Sequence, residues 1–396
     1  MTEFDGGGEQ AALLEAERWV DAAPERALAA LERAAAWAVL DERHPEHEDT
    51  GLGALARTQR LMGEALTNLG DTERAVDALE AALATALERP STEARLWAAE
   101  VRGLLRFARA PEPFSDVRQA VAAELDHGLR LWARSEERSG ASTTPDPDLR
   151  ADAFELHQRR RVPMPGASGT DGPYPPAFSV GQALELSRAA HDLLACAFAS
   201  EKHDAPVRVD RLEAALRRAW RSDEVDALFG PAGVVARWAL LGSTGLSPPE
   251  DLRRAWTGVH TRAEVPIARW HAGGDWATRW PEIADHLETP GANTWLRGPS
   301  AVVEGVVEAW AAALSRPLVV TEPPATLGAL ADQARAVRLS GALWAVQWSP
   351  ERNSDVERVM EHRTGVMVLS PMDTSPVESE SLLLVDFTES TESGTL

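Results

Sequence analysis

Apolar residues recur at helical spacing from about Ala11 to Arg138, in a stretch rich in Ala, Leu, Glu and Arg and nearly devoid of strand formers. This pattern predicts an all-α region over 1–138. It lapses over 139–179, where SGASTTPDPD and RRRVPMPGASGTDGPYPPAFS are dense in Pro, Gly, Ser and Thr, predicting a linker with one short helix around 149–160. Helical spacing returns in 180–285, over 181–199, 209–220 and 222–229, and again from Gly230-Pro231 toward 237. Two short apolar segments, 238–241 and 265–270, flank a loop rich in Gly, Ser and Pro and are expected as a two-stranded element. Over 286–387 the pattern alternates. Strands are predicted at 294–296, 318–321, 342–348, 365–369 and 382–386, with helices at 301–314, 327–338 and 355–362 between them. Strands separated by helices imply parallel pairing through right-handed crossovers. The last residues, 388–396, read as an acidic tail.

Within the first region, residues 59–83 read QRLMGEALTNLGDTERAVDALEAAL. Gly63, Leu66, Gly70, Ala75, Leu79 and Ala82 stand where small residues let two antiparallel helices approach and large ones fill the gap, with Gly70-Asp71 as the turn. This hairpin resembles a tetratricopeptide repeat. Its neighbours, 12–39 and 92–110, carry the helical pattern without the full signature. A lone hairpin cannot bury its apolar face, so the resemblance implies at least three stacked hairpins, with these positions belonging to a protein-interaction repeat. Helices followed by a two-stranded element over 180–285 resemble a winged-helix module.

Composition narrows the chemistry. Acidic residues outnumber basic ones 62 to 40 in 396 residues, a formal net charge of -22. Such a surface repels phosphate backbones, so nucleic acid is a disfavoured partner. The start of the chain is acidic and Gly-rich with no apolar core, and no stretch approaches the ~18 apolar residues of a membrane span, so a soluble cytoplasmic protein is expected. Cys196 is the sole cysteine, which removes an internal disulfide and a cysteine-built zinc site. Lys202 is the sole lysine, so any lysine chemistry would have to use it.

In the third region the order is strand, Arg297-Gly298-Pro299-Ser300, helix, strand, the place where a phosphate-binding loop sits. With RPLVVTEPPA (316–325) and LSGALWAVQW (339–348), this stretch resembles the core of an AAA+ ATPase, of the large-chain type in which a winged-helix region precedes the ATPase. The resemblance covers 292–387 and, more faintly, 180–274. It implies a P-loop-like α/β sheet and a loop GxxxxGK[ST], whose amides cradle phosphates while Lys grips the terminal phosphates and Ser/Thr holds Mg²⁺. Counted from Gly298, the second glycine is Val303, the lysine is Glu304 and the Ser/Thr is Gly305. A carboxylate in place of the ammonium repels phosphate by on the order of several kcal/mol at an effective dielectric constant of ~20. The family's strand-ending Asp-Glu is Gln347-Trp348 here, which can neither hold Mg²⁺ nor activate water. The Asn that senses the terminal phosphate has no counterpart near Ser370-Pro371-Met372. The resemblance therefore implies a degenerate nucleotide site (Gly298, Pro299, Ser300, Glu304, Gly305) with no catalytic residue, metal or cofactor. Weak ATP binding through backbone amides at the helix start is the one exception left open.

Other constellations read as structural. His44 and His47 lie among Asp41, Glu42, Glu46, Glu48 and Asp49, but Pro45 breaks the helix that would align the imidazoles, leaving a solvated loop. His260 and His271, with Glu264, Asp275 and Asp285, have no ligand spacing. Cys196 sits on an apolar helix as a buried, inert thiol, and Ser300 lacks the glycine spacing of a nucleophile elbow. Arg159-Arg160-Arg161 reads as a solvated helix end. Trp256, Trp270, Trp276, Trp280, Trp295 and Trp310 read as packing residues between the second and third regions.

The resulting expectation is a non-catalytic adaptor, with a helical repeat (1–138), a linker (139–179), a winged-helix-like module (180–285), a pseudo-ATPase domain (286–387) and a tail. It would bind protein partners, an active AAA+ ATPase of a macromolecular assembly among them. The alternatives are a divergent AAA+ remodelling ATPase and a winged-helix DNA-binding regulator using Arg211, Arg217, Arg218 and Arg221.

Overall fold

The computed structural model describes residues 7–20, 23–41, 54–88, 91–136, 145–165, 174–201, 208–230, 233–241, 247–259, 280–289, 292–362, 365–376 and 382–387. Its helices and strands run in the order α1 (Gly7–Trp19), α2 (Pro24–Asp41), α3 (Ala54–Asn68), α4 (Thr72–Leu87), α5 (Thr92–Arg109), α6 (Val117–Glu136), α7 (Pro147–Arg160), α8 (Pro176–Ala183), α9 (Arg188–Ser200), α10 (Val209–Leu216), α11 (Ser222–Phe229), α12 (Val234–Arg237), α13 (Glu250–Trp256), α14 (Trp280–Glu288), β1 (Asn293–Arg297), α15 (Ser300–Ala313), β2 (Leu318–Thr321), α16 (Leu327–Ser340), β3 (Leu343–Gln347), α17 (Asn353–Glu361), β4 (Val366–Ser370) and β5 (Leu382–Asp386). The protein is mostly helical with one small all-parallel sheet near the C-terminus. Among the described residues no helix is long and apolar enough to cross a membrane. Two compact units form, one from residues 1–179, 187–227 and 245–247, the other from 180–186, 228–244 and 248–396. The stretch 180–285, expected as a module of its own, is thus divided between them.

In the first unit, α3 and α4 form the expected hairpin. A Cβ on Gly63 would lie 2.4 Å from Leu79 Cγ, so only glycine permits this helix spacing. Gly70 closes α3 at φ +77°, and the Asp71 amide donates back to the Leu66 carbonyl at 2.9 Å. Leu66, Ala75, Leu79 and Ala82 are buried. They hold the hairpin together, so these positions, read as belonging to a protein-interaction repeat, form its packed interior. Alanine-rich faces of α1, α2 and α3 continue this core through Ala16, Ala27, Leu31, Leu61 and Ala65.

The segment expected as a linker holds one of the most buried helices. In α7, Leu149, Arg150, Ala151, Phe154, Leu156, Gln158 and Arg160 are all buried. Gly103 of α5 admits α7 so closely that a Cβ would lie 2.2 Å from the Ala151 carbonyl oxygen. Gly128 of α6 admits α9 in the same way, 2.3 Å from the Ala195 oxygen. The helix expected over 181–199 is broken. Glu185 sits at φ +53° and Ser187 starts α9 afresh by accepting from the Ala190 amide at 3.3 Å.

Buried arginines bind these helices by charge. Arg160, expected to be solvated, is 1% exposed and donates from Nε and Nη2 to the two Glu124 oxygens at 2.7 Å each. Its Nη2 also reaches Asp192 at 3.3 Å, and Asp192 accepts from Trp220 Nε1 at 3.0 Å and lies 3.0 Å from His127 Nε2. Arg150 donates to Glu100 at 2.5 and 2.8 Å, to Glu224 at 3.0 and 3.2 Å, and to the Ala219 carbonyl at 2.9 Å. Arg188, half-buried, pairs with the buried Glu64, which also accepts from the Gln158 amide at 3.0 Å. Each buried cation meets a buried carboxylate, as a low-dielectric interior requires.

The second unit holds the sheet, in the order β2-β3-β4-β1-β5, with every pair parallel. Of the inner strands, β3 and β4 are apolar up to their last residue and buried along most of their length, as strands of a parallel sheet covered by helices are. Leu296, Val303, Val307, Trp310, Leu343, Met367 and Leu369 form one core layer with Ile283 of α14. Trp238, Trp256, Trp295, Trp310 and Trp344 are fully buried within this unit. The first expected strand of the two-stranded element, 238–241, is a turn. Ala239 sits at φ +43°, and the Trp238 and Ala239 carbonyls both accept from Arg335 Nη1 at 2.9 Å. Arg335 of α16 also grips Asp251 of α13 at 3.0 and 3.2 Å. A left-handed residue and carbonyls committed to a guanidinium leave nothing for a strand ladder. The second expected strand, 265–270, lies outside the described residues.

Candidate functional site

The chain leaves β1 through α15 toward β2 on one side of the sheet, and leaves β4 toward β5 on the other. Where connections diverge in this way, the carboxyl ends of parallel strands frame a crevice. Three backbone hydrogen bonds prolong the ladder past the strand ends: the Gly298 amide to the Ser370 carbonyl at 3.0 Å, Trp348 to Leu369 at 2.9 Å and Phe387 to Arg297 at 2.7 Å. They set the loops after β1, β3 and β4 side by side. Between these loops lies a cleft of about 500 Å³, lined by Gly298, Pro299, Ser300, Val303, Glu304, Gln347, Trp348, Leu369, Ser370, Pro371 and Met372. This volume is in the range of small-ligand sites.

Residues singled out from two distant stretches of sequence, Gly298–Glu304 and Gln347-Trp348, thus meet around one cleft. Their geometry differs from a phosphate cradle. Helix α15 begins at Ser300, with Pro299 as its N-cap, so only Gly298 and Pro299 separate it from β1. Val303, Glu304 and Gly305, counted as loop positions, lie on the helix itself. Gly305 is on its open face, with nothing within 4 Å of an added Cβ, and does not line the cleft. Gly298 also has a packing role: a Cβ there would lie 2.9 Å from both the Cβ and the carbonyl oxygen of Phe387.

The charges follow the same logic. Glu304 Oε1 accepts from the Ser300 hydroxyl at 2.8 Å and from the Gln347 amide at 3.5 Å. Arg297, the nearest cation along the chain, is turned away and forks onto Asp386 at 2.7 and 2.8 Å, with a third bond to the Thr374 carbonyl at 3.2 Å. Its guanidinium holds the Asp386 carboxyl below the usual carboxylate range. Glu304 is the one ionisable side chain among the lining residues. Trp348 spends its indole N–H on Asn353 at 3.0 Å, and Ser370 accepts from Trp295 Nε1 at 2.8 Å and donates to the Leu296 carbonyl at 3.2 Å.

Elsewhere, Cys196 is buried, and burial pushes its thiol well above its ordinary value, so it is no nucleophile. Among the described residues no group of three or more His, Cys, Asp or Glu side chains is placed to hold a metal ion. His44, His47, His260, His271, Trp270 and Trp276 lie outside the described residues. Of the arginines read as phosphate contacts, Arg217 pairs with Asp226 at 2.6 Å, and Arg221 lies 4.0 Å from Glu100. Ser370-Pro371-Met372, read from sequence only as the place of an absent polar sensor, line the cleft too, and with Leu369 at the end of β4 they give it an apolar wall that sequence reasoning missed. No protein-family model, curated protein or solved structure matches this chain significantly.

Proposed function

We propose that the protein is a non-catalytic adaptor, in which a helical front end and a pseudo-ATPase sheet bind other proteins. The observation that carries this reading is the two-residue step from β1 into α15. Phosphate cradling needs several consecutive loop amides turned inward around the anion, and two residues cannot supply them. The tethered Glu304 carboxylate at the same point adds repulsion, and Arg297 is committed to Asp386. Neither Gln347 nor Trp348 offers a carboxylate for Mg²⁺. The parallel sheet with its cleft at the carboxyl edge agrees with the AAA+ resemblance, which by analogy makes an active AAA+ subunit the expected partner.

The test is nucleotide binding by calorimetry and magnesium-dependent phosphate release, both with the purified full chain. The expected result is no ATP binding below millimolar concentration and no release above background. Turnover that requires magnesium would overturn the adaptor reading in favour of a divergent ATPase.

A further inference from the structure

The cleft that lacks phosphate chemistry has a chemistry of its own. Its lining combines one carboxylate with apolar walls from Pro299, Val303, Trp348, Leu369, Pro371 and Met372. Glu304 has one oxygen anchored by Ser300 and Gln347, which fixes the carboxylate, while Oε2 has no hydrogen-bond partner among the described residues. A fixed anion at an apolar cleft, with no lining cation to neutralise it, selects a cation that has an apolar stem.

We propose that this cleft is a socket for an arginine side chain presented by a segment of a partner protein. A guanidinium suits it better than an ammonium. It is more weakly hydrated, so entering an apolar cleft costs it less, and it stacks on indole carbon surface such as Trp348 offers. The methylene stem of arginine would lie against the proline, leucine and methionine walls. The chain's formal net charge of -22 favours encounter with basic rather than acidic partners. Met372, 41% exposed, gives the cleft an apolar rim on which a peptide backbone can rest. This inference rests on the adaptor reading for the partner being a protein, and adds the residue the partner must carry.

The experiment is calorimetric titration of the full chain with three capped tripeptides, Gly-Arg-Gly, Gly-citrulline-Gly and Gly-Lys-Gly, repeated on Glu304→Gln. Glu304 is exposed, so this near-isosteric change leaves the fold intact, which circular dichroism checks. The expected result is binding of the arginine peptide at millimolar concentration or below. The citrulline peptide should bind at least about tenfold more weakly, with the lysine peptide in between, and Glu304→Gln should remove the arginine preference by a similar factor. Equal binding of arginine and citrulline peptides, a preference that survives Glu304→Gln, or no arginine binding at millimolar concentration would each overturn the socket. The adaptor reading fails by a different measurement, magnesium-dependent phosphate release, so the two failures are distinguishable.

Discussion

Replacing Arg160 by methionine removes the charge from the best-formed buried ion pair in the helical unit. Arg160 and Glu124 are each 1% exposed and share two hydrogen bonds of 2.7 Å. Methionine fills much of the same volume but leaves Glu124 buried without its partner and also takes the guanidinium from Asp192. Breaking a buried pair in this way costs about 3–5 kcal/mol. The assay is urea unfolding of parent and Arg160→Met at pH 7, followed by far-ultraviolet circular dichroism. Burial alone would raise the Asp192 carboxyl, but the His127 ring and then Arg160 outweigh it and hold the group far below the usual carboxylate range. A depressed carboxyl stabilises the fold above its unfolded value near ~4, and that contribution fades as pH falls below it. The deficit of the variant should therefore be full at pH 7 and shrink below pH ~4. The double variant Glu124→Met/Arg160→Met, which buries no orphan charge at this pair, should recover most of the loss. A single variant that loses under ~1 kcal/mol at pH 7, or a double variant no better than the single, would refute this account of the helix interface.

Two further outcomes follow from individual side chains. Burial, and then the charge of Arg160, lowers His191 to about 4. Between pH ~6.5 and 4 the unfolded chain binds a proton that the folded one refuses, so acidification through that window should cost roughly 3 kcal/mol at this site. Urea midpoints of parent and His191→Gln across the window should converge toward its acid end, and parallel curves would discount the effect. Gly298→Ala should lower stability by ~1–3 kcal/mol, because the new methyl meets the Phe387 backbone at 2.9 Å. A variant that melts with the parent would show that this strand–helix joint can shift.

Much of the sheet was legible because β2, β3 and β4 are short, largely apolar runs with Gly or Pro within a few residues of their ends, and helical spacing resumes between runs. Leu318–Thr321 and Leu382–Asp386 match their expected bounds, and the other three strands differ by a residue or two. The Gly70-Asp71 turn was equally visible, since glycine at φ +77° followed by a capping aspartate is local chemistry. The burial of α7 was not. Its arginines recur as they would on a solvated helix, and their partners lie far away in sequence: Glu100 is 50 residues from Arg150, and Glu124 is 36 from Arg160. Periodicity records where apolar residues fall and says nothing about a charge that is buried with its counter-charge.

The candidate site shows the same limit from the other side. A helix beginning near residue 301 was expected on pattern alone, and that expectation already conflicts with a phosphate loop extending from Gly298 to Gly305, because helical amides point along the axis and cannot curl around an anion. The helix boundary was the stronger signal, since it rests on the whole run 300–313, whereas the loop count rests on Gly298 alone. Gly298 is in turn explained by its approach to Phe387. The sheet edge therefore keeps the crevice that parallel strands create wherever their connections diverge, and the residues that line it set a new preference. With a carboxylate one turn into α15 and apolar residues about the ends of β3 and β4, the same geometry that elsewhere suits an anion is turned toward a cation.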